Sequence, residues 1–257
     1  MSSLAIDAWN WLGRELDTWA EAGITAEFWW RDDDATEAGS ALDKLVGLSS
    51  ELNIPLALAV IPTGLRPGLV NSLKTRPQAC VIQHGFAHQN HAPPGQRKLE
   101  LGGGQTTEDI VADLEQGFRT LCQYFPERFK PVLVPPWNRI DDRVIARLTD
   151  IGITGISTMK ARRQAFPAPG LLQVNAHLDP VNWRHQGGFL GVYPAIAILI
   201  QHLIAKRTGY RDRDEPTGIL THHLAQNEAV WHFLEDLLRF LSAHPAVTWL
   251  DPATIWT

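Results

Sequence analysis

The sequence predicts an α/β fold, a single-domain, distorted (β/α) barrel of seven or eight strands. Three observations carry this. Strand-like and helix-like segments alternate along almost all of the 257 residues. The strand-like segments are short, apolar and not alternating, as in a parallel sheet buried on both faces. Reactive polar residues recur at the ends of successive strands, which such a barrel gathers at one mouth. Without an internal repeat or low-complexity linker, residues 1–257 read as one domain, with 1–22 an N-terminal helix packed on it.

Residues 1–20 have the spacing of an amphipathic helix through Leu4, Ile6, Trp9, Leu12, Leu16 and Trp19. A strand over 25–31 then runs into Asp32, Asp33 and Asp34, and a helix follows over 38–52 on Leu42, Leu45, Val46 and Leu48. Residues 55–61 form an apolar strand, followed by a Pro/Gly loop and a short helix to about residue 74. A strand over 80–83 ends at His84, and a loop over 92–104 leads to a helix from about 107 to 125, with Thr107 as its cap. Further strands are expected over 131–134, 154–157, 171–175, 218–221 and 247–250. Helices are expected over 141–151, 195–207 and 228–243, with Asp141 and Asp142 capping the first.

Composition removes some functions. A formal net charge of −5, with no basic stripe, argues against a nucleic-acid partner. The apolar run over 188–205 is broken by Pro194, Gln201 and His202, so no membrane span is expected. The N-terminus lacks the basic start and apolar core of a secretory leader. Cys80 and Cys122 lie far apart in sequence and predict no disulfide. A cytoplasmic protein fits these features.

The chemistry concentrates at the strand ends. Three adjacent carboxylates after an apolar strand are costly to desolvate unless a cation or a proton-transfer task uses them; an acidic helix-capping loop is the plainer alternative. His84 and His88, four apart, would share one face of a helical turn and reach one ion, with His91 as a further ligand or substrate-side group. Pro135-Pro136-Trp137-Asn138-Arg139, Asp179 with Trp183, and His222-His223 follow the next strands. Trp29, Trp137 and Trp183 offer faces for a sugar, though a tryptophan in a barrel is more often packing. His177 and Asn175 are weaker pocket candidates; His202, His232 and His244 read as structural.

Taken in order, these motifs resemble the polysaccharide deacetylases, the NodB-homology or carbohydrate esterase family 4 proteins, and a divergent cytoplasmic branch of them. Asp33-Asp34 is similar to the paired-Asp motif and His84–His88 to the H-x-x-x-H motif. Residues 134–138 resemble the Pro-rich third motif, Asp179 and Trp183 the fourth, and Leu220-Thr221-His222 the fifth. The resemblance implies a NodB-like barrel and a metal-dependent deacetylase of an N-acetylated sugar or glycan precursor. It implies Asp33 as general base and His222 as general acid. Asp34, His84 and His88 would hold a divalent ion, with zinc first and cobalt or nickel as alternatives. Asp32, His91, Trp137, Arg139, Asp179 and Trp183 would line or support the site.

The three-Asp run leaves the register open, with Asp32 and Asp33 as the other possible pair. Three departures stand out. Val134 replaces the Arg that usually orients the base, leaving Arg139 or Arg31 for that task. Gly85 replaces a Ser or Thr after the first His, and Ala35-Thr36 replaces Gly-Pro. Two other functions stay open: hydrolysis of another non-peptide C–N bond, such as a ureide or cyclic amide, and a catalytically silent glycan-binding barrel.

Overall fold

A ten-residue strand, Ala26–Ala35 (β1), organises the molecule. In this computed structural model, which describes residues 3–183 and 188–256, helix α1 (Ser3–Glu21) precedes it. Met1 and Ser2, included in the expected helix, lie outside the described residues. After β1 come α2 (Ser40–Leu52), β2 (Leu56–Val60), α3 (Pro67–Leu73), β3 (Ala79–His84) and α4 (Thr107–Tyr124). They are followed by β4 (Phe129–Val134), α5 (Asp142–Ile145), β5 (Gly155–Ile156), β6 (Leu172–Gln173) and β7 (Ala176–Leu178). A two-stranded hairpin, β8 (Val181–Asn182) and β9 (Gly188–Phe189), leads to α6 (Val192–Arg207) and β10 (Thr217–Thr221). The chain closes with α7 (Glu228–Ala243), β11 (Val247–Trp249) and α8 (Pro252–Ile255).

The main sheet runs β6-β5-β4-β3-β2-β1-β10-β7, all parallel, with β11 added beside the start of β1. Its two edge strands, β6 and β7, are consecutive in sequence, and the Met159–Ala176 bridge ties the loop after β5 to β7. The sheet is thus a curled, incompletely closed barrel, an α/β fold of the NodB type.

Strand alternation gives each face its own core. Trp29 from β1, Ala57 and Ala59 from β2, Cys80 and Ile82 from β3, and Val132 and Val134 from β4 fill the lumen. Trp256, just beyond α8, plugs this interior, its ring edge-on to Trp29 at 5.2 Å. Gly155 makes room for it, since a Cβ there would lie 2.4 Å from the Trp256 ring. The other face, with Phe28, Trp30, Leu56, Leu58 and Val81, packs against α1, α2, α6 and α7 in the larger core. Leu12, Leu16 and Trp19 seat α1 in that core.

Several boundaries differ from expectation. β1 continues past Asp32 to Ala35 because β10 still pairs with it at Asp32 and β2 at Asp32 and, after a register shift, at Ala35. The helix expected over 141–151 breaks into α5 and a 3-10 turn, Leu148–Ile151. The α4 cap is Thr106, not Thr107, with its hydroxyl accepting the Asp109 N–H. Strands expected over 154–157 and 171–175 shrink to two residues each, and β7, the β8–β9 hairpin and α8 carry too few residues to show a period.

Candidate active site

The alternation of β1 decides which way each carboxylate points. Arg31 and Asp33 share the lumen side with Trp29, while Asp32 turns to the opposite face. There Asp32, fully buried, accepts hydrogen bonds from the Thr221 hydroxyl (2.7 Å) and the His223 N–H (3.0 Å), and pairs with the His223 ring. Burial opposes protonation of His223, but the Asp32 carboxylate outweighs it and raises the pKa. Asp32 therefore locks β1 to the end of β10 instead of facing the mouth.

Simple alternation would send Asp34 the same way as Asp32. It does not, because the β1–β2 register shifts between Asp32 and Ala35 and Asp34 adopts a left-handed backbone, φ 70°. The bulge aims its Oδ1 at His84 Nε2 (3.1 Å) and His88 Nε2 (3.3 Å). One donor atom from each of the three residues lies within 4.8 Å of the others. His84 Nδ1 donates to the Val134 carbonyl at 3.0 Å, which fixes the ring and turns Nε2 to the cluster.

The two histidines converge without a helix. Left-handed residues at Gly85 (φ 52°) and His88 (φ 56°) fold the segment into an irregular loop. Its organiser is Glu100, a buried residue that sequence reasoning missed. The Glu100 carboxylate accepts backbone N–H bonds from Phe86 (3.2 Å), Ala87 (2.7 Å) and Gln89 (3.2 Å). A Cβ at Gly85 would lie 1.9 Å from Glu100 Oε2, so glycine is required here. Only a carboxylate set inside a Pro/Gly-rich loop marked Glu100 in the sequence.

Asp33 is held by Arg31 through a two-pronged ion pair, Nε to Oδ1 at 2.9 Å and Nη2 to Oδ2 at 3.1 Å. Arg31 also donates to Ser157 Oγ (2.7 Å) and Asn138 Oδ1 (2.8 Å) and is wholly buried. The arginine missing at Val134 is thus supplied two residues before Asp33 on the same strand. Arg139, the other candidate for that task, instead donates to the Lys98 carbonyl at 2.9 Å and does not reach Asp33. His91 lies on the wall of a separate hollow with Phe86 and Asp113, and it does not join the His84–His88 cluster.

Across the mouth, His222 stands between two acids, with Nε2 3.9 Å from Asp33 and Nδ1 3.6 Å from Asp179. Asp179 accepts the Trp183 indole N–H (2.7 Å) and the Val181 N–H (2.9 Å), and burial raises its pKa. Trp183 stands edge-on to His222 at 4.7 Å and is 54% exposed, so its ring is open to a ligand. Trp137 packs on His88 at 4.5 Å, on a turn where both it and Asn138 have positive φ. Trp29 is packing only, its indole N–H on the Asn175 carbonyl. Asn175 lines an outer hollow, whereas His177 is buried and stacked on His202 at 3.7 Å.

The donor set suits a divalent cation. Burial works against ionisation of Asp34, yet His84 and its neighbours hold the carboxyl well below its usual range. Burial and His84 lower the pKa of His88, favouring the neutral ring that can ligate. Burial likewise opposes a charge on His84, but Asp33 and Asp34 raise its pKa, so an ion would compete with a proton on the Nε2 that faces Asp34. Two imidazoles and one carboxylate with an open side form a catalytic zinc-type shell.

No protein-family profile and no curated protein matches this sequence. Solved structures do match its fold. A protein from Mycobacterium smegmatis named as a candidate polysaccharide deacetylase superposes with a TM-score of 0.61 at 13% identity, over 88% of this chain and 87% of that one. A family 4 acetyl xylan esterase from Clostridium thermocellum, in complex with cobalt, gives 0.50 at 11% identity, over 83% of each chain. A family 4 pseudoenzyme from Bacillus anthracis gives 0.52 at 11% identity, over 84% of this chain and 60% of that one. At these identities the likeness shows a shared NodB-type fold.

Proposed function

We propose that the protein is a metal-dependent hydrolase that removes an acetyl group from an N-acetylated sugar or glycan precursor. The observation that carries this is the convergence of Asp34, His84 and His88 beside the Asp33–His222 pair. The fold, shared with deacetylases and esterases, supports it. In this reading Asp34, His84 and His88 hold the ion, zinc first, with cobalt or nickel as alternatives. Such an ion polarises a carbonyl and lowers the pKa of bound water.

The remaining work falls to the chain. Asp33, oriented by Arg31, accepts the proton of the attacking water. His222, steadied by Asp179, donates a proton to the departing amine, which leaves poorly without one. In this reading a backbone N–H of the turn at Trp137 stabilises the developing oxyanion, and Trp183 offers a sugar platform. The unpaired Cys80 and Cys122 agree with a cytoplasmic setting. Among the described residues, no helix is long and apolar enough to cross a membrane.

Metal analysis of the purified protein beside a His84→Ala/His88→Ala variant tests the site. About one equivalent of zinc is expected, lost in the variant, with acetate released from N-acetyl sugars only by the parent. Absence of metal after adding zinc, cobalt and nickel would favour the silent barrel instead. Metal without acetate release, but with cleavage of a ureide or cyclic amide, would move the reaction to another C–N bond.

A further inference from the structure

One side of the mouth has a charge that the chain as a whole does not. The loops after β3, β4 and β5 bring Arg97, Arg139 and Arg163 to one hollow, with Lys98 over the neighbouring Trp137 ring. None of these cations forms an ion pair among the described residues, although the chain's net charge is −5. Cations elsewhere are commonly paired, as Arg119, Arg147, Arg207 and Arg239 are with nearby carboxylates. Asp141 also lines this hollow but is engaged by Arg143 at 3.4 Å and the Gly103 N–H at 3.2 Å, and Asp142 lines only its continuation. Arg97, Arg139 and Arg163, sharing one hollow with no ion pair among the described residues, repel one another, and an anionic ligand relieves that repulsion.

The charges surround a shaped space. Arg97, Arg139 and Arg163 line a hollow of about 640 Å³. Thr158, Gln173 and Arg163 continue from it into a second hollow of about 690 Å³. The floor is polar, with the Gln173 amide donating to Thr158 Oγ1 (3.2 Å) and Asn175 Oδ1 (3.1 Å). The inner end touches the proposed catalytic groups. Asn138 lines the first hollow and accepts from Arg31, the partner of Asp33. Lys98 Nζ sits 5.6 Å from the centre of the Trp137 ring, which packs on His88.

We infer that this groove binds an anionic substituent of the substrate, a phosphate or carboxylate carried on the saccharide next to the residue that is deacetylated. Guanidinium groups suit both anions because their planar forks match paired oxygens. The inference rests on the deacetylase reading for the words "substrate" and "deacetylated"; the anion site itself stands on the groove alone.

Titration calorimetry on the full chain at low salt tests it, with N-acetylglucosamine, N-acetylglucosamine 6-phosphate and N-acetylmuramic acid as probes. At least one anionic sugar is expected to bind roughly tenfold more tightly than the neutral one, an advantage that shrinks as salt screens exposed charges. The phosphate and carboxylate arms decide which anion the groove prefers. Arg97→Gln/Arg163→Gln should abolish the advantage while the melting temperature stays at the parent value, and Arg163→Glu should reverse it. Equal affinity for all three sugars, or an advantage that survives the double variant, would overturn the inference. Acetate release read in parallel separates the two proposals. Arginine-dependent anion binding with no deacetylation of any probe would refute the deacetylase reading alone. Deacetylation of the neutral sugar without any anion preference would refute the groove alone.

Discussion

Glu100 gives the most discriminating test of how the His84–His88 loop is built. Its carboxylate is 3% exposed and takes three backbone N–H donors, from Phe86, Ala87 and Gln89. A hydrogen bond to a charged acceptor contributes about 1.5 kcal/mol or more, so Glu100→Ala should cost the loop roughly 4–5 kcal/mol. Glu100→Gln is gentler. Its carbonyl can still occupy the Oε1 position that serves Ala87 and Gln89, but its amide then meets the Phe86 N–H, donor against donor. That variant should lose about 3 kcal/mol, one charged bond plus an unsatisfied donor. The assay has two arms. Amide hydrogen exchange at residues 86, 87 and 89 reads the loop without any metal, and protection should fall in the order parent, Gln, Ala. Competition with a chromophoric chelator reads zinc affinity, which should weaken by about 10–100-fold, as when an outer support of a metal ligand is removed. Unchanged exchange and unchanged zinc affinity in both variants would refute the assignment of Glu100 as organiser of the loop.

Other outcomes follow from the same geometry. Arg31→Met leaves Asp33 buried without its cation and should cost about 3–5 kcal/mol by urea unfolding, much of it recovered in Arg31→Met/Asp33→Leu; a loss under about 1 kcal/mol would mean the pair is not desolvated. Gly85→Ala would force a Cβ to 1.9 Å from Glu100 Oε2 at φ 52°, so zinc binding and melting temperature should both drop. Burial, helped by His177, Lys206 and Arg211, depresses the His202 pKa to about 2. The unfolded chain takes up that proton first as pH falls, so the contribution of His202 is intact above its ordinary pKa of 6.5 and is lost progressively on acidification towards 2. His202→Phe should therefore flatten the fall in melting temperature between pH 7 and pH 4; an unaltered slope would exclude His202 as its source.

The sequence by itself determined the alternating α/β plan, the parallel sheet and the set of strand ends that carry reactive groups. Those properties are local, because apolar runs of strand length and helical spacings need no knowledge of neighbours. Tertiary structure alone decided the aim of each group. Asp32, Asp33 and Asp34 are identical residues in one run. Strand alternation sends Asp32 to Thr221 and His223 and Asp33 to Arg31, and a bulge whose register is set by β2 turns Asp34 to the histidines. Arg139 and His91 were legible as polar residues near the mouth, but not as residues that reach neither Asp33 nor the histidine cluster. Arg31 and Glu100 acquire their roles only through partners such as Ser157 and Asn138, or Phe86 and Gln89, that folding brings to them. A side chain's residue type is written in the chain, but its direction depends on backbone pairing between distant segments, which one sequence does not display.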